Sequence, residues 1–182
     1  EILHIFFATN PQRFPSNRQT KPQGMKEGCL LMEYNGAHYA SMLVDLASDI
    51  LLSPEMQREQ NFIQHGSTTC YAHSANVACM ALYLADVLHL RVDRLSLARG
   101  ALLHDFFLYD WHESDPSHRL HGFRHPFSAL KNARKHFNLN PIECDAIRKH
   151  MFPLTPFPPL YKESLLVCLA DKLCALDETL FS

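Results

Sequence analysis

His104-Asp105 closes the apolar run that opens at Leu95, and the pair is chemically out of place there. A helix through this run turns Leu97, Gly100, Ala101 and Leu102 inward, so an imidazole and a carboxylate follow into apolar surroundings. A buried carboxylate without compensation is costly, and a metal ion is the usual remedy. His73 upstream and His125, His150 and Asp171 downstream are further groups of ligand type. Asp171 repeats the anomaly: three and four positions away stand Val167, Cys168, Cys174 and Ala175, so this acid also shares an apolar helix face. Histidine and carboxylate donors without thiolate suit Fe, Mn, Zn, Co or Ni rather than Cu(I) or an iron–sulfur cluster. No Gly-rich phosphate loop and no nucleophile–base arrangement supports a competing chemistry.

The elements that must position these groups read as helices. Tyr39, Met42, Leu43, Leu46 and Ile50 recur at helical spacing between Ala37 and Leu52. Pro54 to Gln64 reads as a second helix, with proline in its first turn and Gly66 beyond its end. Ser67 or Thr68 caps a long helix reaching about Leu90, whose stripe His73, Val77, Met80, Leu84 and Val87 turns His73 inward. Asp93 caps the helix that carries His104-Asp105. Tyr109 to Arg124 reads as a loop, and His125-Pro126 as the start of a helix to Phe137. Asn140-Pro-Ile-Glu143 combines a cap, an N1 proline and an acid at N3, and opens a helix that reaches His150. The prolines between Pro153 and Pro159 demand irregular chain, and the last helix runs from Lys162 to about Asp177. No strand alternation is convincing. The class is all-α, in one domain over 37–182, preceded by an extended arm at 1–36.

Bulk composition sets limits. The 182 residues are 47% hydrophobic, enough for one sizeable core. A net charge of −2 offers no field for a nucleic-acid polymer, and no segment is suited to a membrane. Six cysteines without a Cys-x-x-Cys pair suggest reduced thiols and a cytoplasmic protein.

The ordered set His73, His104-Asp105, His125, His150 and Asp171 resembles the HD-domain superfamily of metal-dependent phosphohydrolases, over roughly residues 37–177. The resemblance implies a single helical bundle of six or more helices. It implies that His73, His104, Asp105 and Asp171 hold one divalent transition metal, with Asp105 bridging to a second held by His125 and His150. His121, four residues before His125, is an alternative ligand, and as a loop histidine it could protonate a leaving oxygen. The sequence departs from many binuclear members three residues after Asp105, where Leu108 replaces a lysine. Lys172, Arg119 and Arg124 are the candidates to contact phosphate in its stead. The expected activity is hydrolysis of a nucleotide or other small anionic phosphoester by metal-activated water, with Asp105 and His121 as catalytic groups. The alternative from another class is a silent regulatory module that keeps the metal. A homodimer is the expected partner arrangement, if any.

Overall fold

Five of the described helices begin where a side chain takes over an unpaired backbone amide. The computed structural model describes residues 34–109 and 121–181. Asn35 caps α1 (Gly36–Leu51) by accepting from the His38 amide, and Ser53 caps α2 (Pro54–Arg58) through the Met56 amide. Thr69 caps α3 (Cys70–Val87) and Asp93 caps α4 (Arg94–Leu103). After α5 (His121–His136), Asn140 and Glu143 form a reciprocal capping box on α6 (Pro141–Lys149). The last helix is α7 (Lys162–Phe181).

Three expectations are corrected. The helix expected over Pro54–Gln64 stops at Arg58, passes through a 3-10 turn at Glu59–Asn61 and becomes a strand, β1 (Ile63–His65). This strand pairs antiparallel with β2 (Thr68–Thr69), so the chain is not free of strand. Both segments are too short to show a period of two, and Gly66 between them adopts positive φ, as a tight turn requires. The cap of the next helix is Thr69, the second residue of β2, whose side chain accepts from the Ala72 amide. Third, α5 starts at His121, inside the segment expected as loop, and places Pro126 within the helix. The proline removes the donor that would serve the Gly122 carbonyl, a loss the helix tolerates near its beginning. Residues 1–33 of the expected arm, and Arg119 with the centre of the expected loop, lie outside the described residues.

The hub is α4. Ser96, Leu97, Ala98 and the run Gly100 to Leu103 are all buried, so most of this helix's surface lies in the core, with Arg94, Leu95 and Arg99 left at the rim. It packs against α1, α3, α6 and α7, while α7 also lies along α3 and α6. Gly100 sets a close approach: a Cβ built there would lie 3.0 Å from that of Ala146 on α6. Arg99 ties the same elements at the rim, through Glu143 Oε1 at 3.0 Å and Asp49 Oδ2 at 2.6 Å. No helix among the described residues is long and apolar enough to cross a membrane. The described cysteines Cys70, Cys79, Cys144, Cys168 and Cys174 are free thiols.

Candidate metal centre

Helix ends converge at the site. His104 is the C-cap of α4 and His150 the C-cap of α6, so each histidine stands where its helix releases the chain. His73 comes from the first turn of α3, Asp171 from the middle of α7 and His125 from α5. The structure brings all six of these side chains, Asp105 included, into one buried cluster, between 0% and 8% exposed.

The cluster divides into two groups, each able to hold a metal ion: His73, His104 and Asp171, and Asp105, His125 and His150. Asp171 Oδ1 lies 3.3 Å from His73 Nε2 and 3.6 Å from His104 Nε2. Asp105 stands between the groups. Its Oδ2 is 3.4 Å from His104 Nε2 and 3.9 Å from His73 Nε2. Its Oδ1 faces His125 Nε2 at 3.1 Å and His150 Nε2 at 3.4 Å. Atoms bound at about 2.1 Å to one ion stand roughly 3 to 3.4 Å apart in octahedral or tetrahedral arrangements. Most of these separations fall in or near that range.

The outer nitrogens fix which atoms point inward. His104 Nδ1 donates to the Ala101 carbonyl at 2.7 Å, and His150 Nδ1 donates to the Ile147 carbonyl at 2.9 Å. His73 Nδ1 donates to Glu178 Oε2 at 2.8 Å. Each Nε2 of a neutral ring then presents a lone pair to the cluster. His104 Nε2 and Asp105 Oδ1 have no hydrogen bond of acceptable geometry, and His125 Nε2 meets His150 Nε2 at 2.7 Å. Lone pairs facing lone pairs and carboxylate oxygens repel unless a cation or protons intervene. The donor set therefore fits a divalent metal.

The electrostatics agree. Burial opposes charge on Asp105, but the imidazoles of His104, His125 and His150 outweigh it and hold the carboxyl well below the usual range. Asp171 is likewise held low against burial by His104 and His73. Burial works against the charged ring of His73 too, yet Asp171 and Glu178 push it up to about 10. His104 is raised in the same way, mainly by Asp105 against burial, whereas burial lowers His150.

Several supporting residues escaped sequence reasoning. Gln64, on β1, donates from Nε2 to Asp105 Oδ2 at 2.5 Å, and the Cys70 thiol donates to its Oε1, which orients the amide. Glu59 is buried, its Oε1 accepting from the Leu108 amide at 3.1 Å, and burial pushes its carboxyl up to about 8. Asn132 Nδ2 donates to the carbonyls of Phe106 and Phe107, so the turn after Asp105 is held from two sides. That turn carries Leu108 at φ 61°, with its side chain packed on the core. Glu178 did leave a signal, standing seven residues, two helical turns, after Asp171.

The candidate phosphate contacts fall less centrally. Lys172 donates from Nζ to the His150 carbonyl at 2.8 Å and the Cys168 carbonyl at 3.2 Å, 3.9 Å from Asp171 Oδ2. Arg124 is exposed on α5. Arg119 and the side chain of His121 lie outside the described residues. A cavity of about 700 Å³ opens onto the cluster, with Asp105, His125 and Asp171 in its lining, Lys172 beside them, and Met151 and Leu154 among its apolar lining.

The HD domain family profile matches residues 70–176, more than half of the chain, and that span holds all six clustered side chains. No curated protein and no solved structure matches the chain. On the strength of that family match, with the His-Asp doublet and its helical setting, the chain belongs to the HD-domain family.

Proposed function

We propose that this protein is a metal-dependent phosphohydrolase acting on a small phosphoester, with a nucleotide as the leading substrate class. The observation that carries the reading is the cluster of inward-facing lone pairs on the wall of a cavity sized for a small molecule. His73, His104 and Asp171 would hold one ion, His125 and His150 a second, and Asp105 would face both. Fe, Mn, Co, Ni and Zn all suit such donors. When bound, paired ions supply Lewis acidity toward phosphoryl oxygens and a hydroxide from water at neutral pH.

The remaining roles belong to the chain. Gln64 holds one oxygen of Asp105 and so fixes the plane of its carboxylate. Lys172, at the cavity, and Arg119 and Arg124, near the start of α5, are assigned to the negative charge of the substrate. His121, one helical turn before His125, is assigned to protonate the leaving oxygen. The cavity and the net charge of −2 favour a small anion over a nucleic-acid polymer.

The test is anaerobic purification, metal analysis, and reconstitution with Fe(II), Mn(II), Co(II) or Ni(II). A panel of nucleotides, dinucleoside polyphosphates and cyclic dinucleotides is then assayed for phosphate or nucleotide release. The expected result is turnover that Asp105→Ala abolishes together with most bound metal. Arg119→Ala with Arg124→Ala should raise KM and leave metal content intact. Full metal loading with no turnover on any panel member would instead support a regulatory metal-binding module.

A further inference from the structure

Helix α7 turns one face to α3, α4 and α6, burying Val167, Ala170, Asp171, Cys174 and Glu178. The opposite face of a surface helix should be polar. Here it is leucine. Leu165, Leu169, Leu173, Leu176 and Leu180 are each between 41% and 63% exposed. Their steps of four, four, three and four residues align them in one stripe, roughly 22 Å long at 1.5 Å per residue. Five half-exposed leucines present on the order of 450 Å² of apolar surface, at the upper end of what a monomer leaves uncovered.

We propose that this stripe is a self-association face, on which a second copy of the chain packs its own α7 antiparallel about a twofold axis. The spacing selects a second copy. Apart from Leu173, which falls next to the axis, the stripe's Leu165, Leu169, Leu176 and Leu180 are separated by four, seven and four residues, a pattern that reads identically in both directions. A twofold contact requires such self-complementarity, because residue i meets j and j meets i. With the axis between Lys172 and Leu173, Leu165 faces Leu180 of the other copy and Leu169 faces its Leu176. A peptide or an unrelated protein places no such demand on the sequence.

Charge and area are consistent with the same occupant. The exposed charges between Leu165 and Leu180 are one lysine, Lys172, and one aspartate, Asp177, so a twofold pair is neutral along its seam. Leu160 and Tyr161, exposed just before α7, extend the apolar surface. The patch remains below the roughly 800 Å² per partner of a standard interface, so the dimer is a weak, reversible one.

Sedimentation equilibrium on the full chain, up to about 200 µM, tests this, with an expected dissociation constant on the order of 10 µM. Leu169→Glu with Leu176→Glu should weaken association by at least about 100-fold, while helical circular dichroism and metal content stay unchanged. Leu169→Lys with Leu176→Glu in one chain puts opposite charges face to face across the axis, and should recover part of the association. A monomer at the top concentration overturns the proposal. So does a dimer indifferent to these substitutions, or equal weakening by both double variants. Hydrogen-exchange protection of the stripe in a monomeric protein would likewise overturn it, by assigning the face to another segment of the chain.

Discussion

At the scale of single residues, the outer hydrogen bonds do as much to define the centre as the inward atoms. Glu178 is the strongest case, because a buried carboxylate on His73 Nδ1 both fixes the ring and raises the basicity of Nε2. Asn76 Nδ2 donates to the other Glu178 oxygen at 3.2 Å and keeps that carboxylate in place. Glu178→Gln preserves size and removes the charge. It should weaken metal binding by about 10- to 100-fold, measured by competition with a chromophoric chelator, while Asn76→Ala has a smaller effect in the same direction. Unchanged affinity in Glu178→Gln would remove this residue from the centre's support. Glu178 was marked in the sequence only by standing two helical turns after Asp171, whereas Gln64 and Glu59 left no mark, because amides and acids are common on helices and turns. Only contact with a ligand distinguishes them from solvated side chains.

At the scale of elements, separations between helices decide whether the histidines meet. His104 and His150 are the caps of α4 and α6, and those two helices pack closely at Gly100 and Ala146. A larger residue at 100 must push against the Ala146 side chain and the helix behind it. Gly100→Leu should destabilise the fold by about 1 to 3 kcal/mol, read from the denaturant midpoint, and should lower metal occupancy as the two caps separate. Loss of stability with full occupancy would mean that the ligands tolerate the displacement. The helices themselves were largely legible. Asn140-Pro-Ile-Glu143 and Asp93 are caps whose chemistry is local, and the structure uses both. The short hairpin and the early start of α5 were not legible. Ile63-Gln-His65 and Thr68-Thr69 are stabilised by packing near α3 rather than by their own periodicity, and Pro126 argues locally against the helix that contains it.

At the scale of the whole molecule, protons and metal compete for one site. Asp171 and Glu178 push His73 up to about 10, so without metal its ring holds a proton at neutral pH, and His104 is shifted in the same direction. Because His73 rises from 6.5 in the unfolded chain to about 10 when folded, its stabilisation is fully present below 6.5 and fades as pH climbs through 10. Metal must displace the His73 proton, so affinity should rise with pH from neutral toward 10, and loading at pH 7 should release about one proton. Calorimetric titration in two buffers of different ionisation enthalpy measures that number directly, and no buffer dependence would contradict it. His73, His104, Asp105 and Asp171 could be picked out of the sequence because they interrupt apolar helix faces, whereas His125 and His150, in polar settings, were reached through the family resemblance. The bridging place of Asp105 was implied by the resemblance, but which of its oxygens faces which group is visible only in three dimensions.

The pairing of His73 with Asp171 and Glu178 also bears on time. These contacts join residues 98 and 105 positions apart, so they close long loops of the described chain. Loops of that length close late, after α3 and α4, adjacent in sequence, have found each other. Interactions made after the rate-limiting barrier slow escape from the native state and leave the speed of reaching it almost untouched. An ion held between α3 and α7 would thus act as a latch. It would lengthen the lifetime of the folded protein against heat and proteases without hastening its birth.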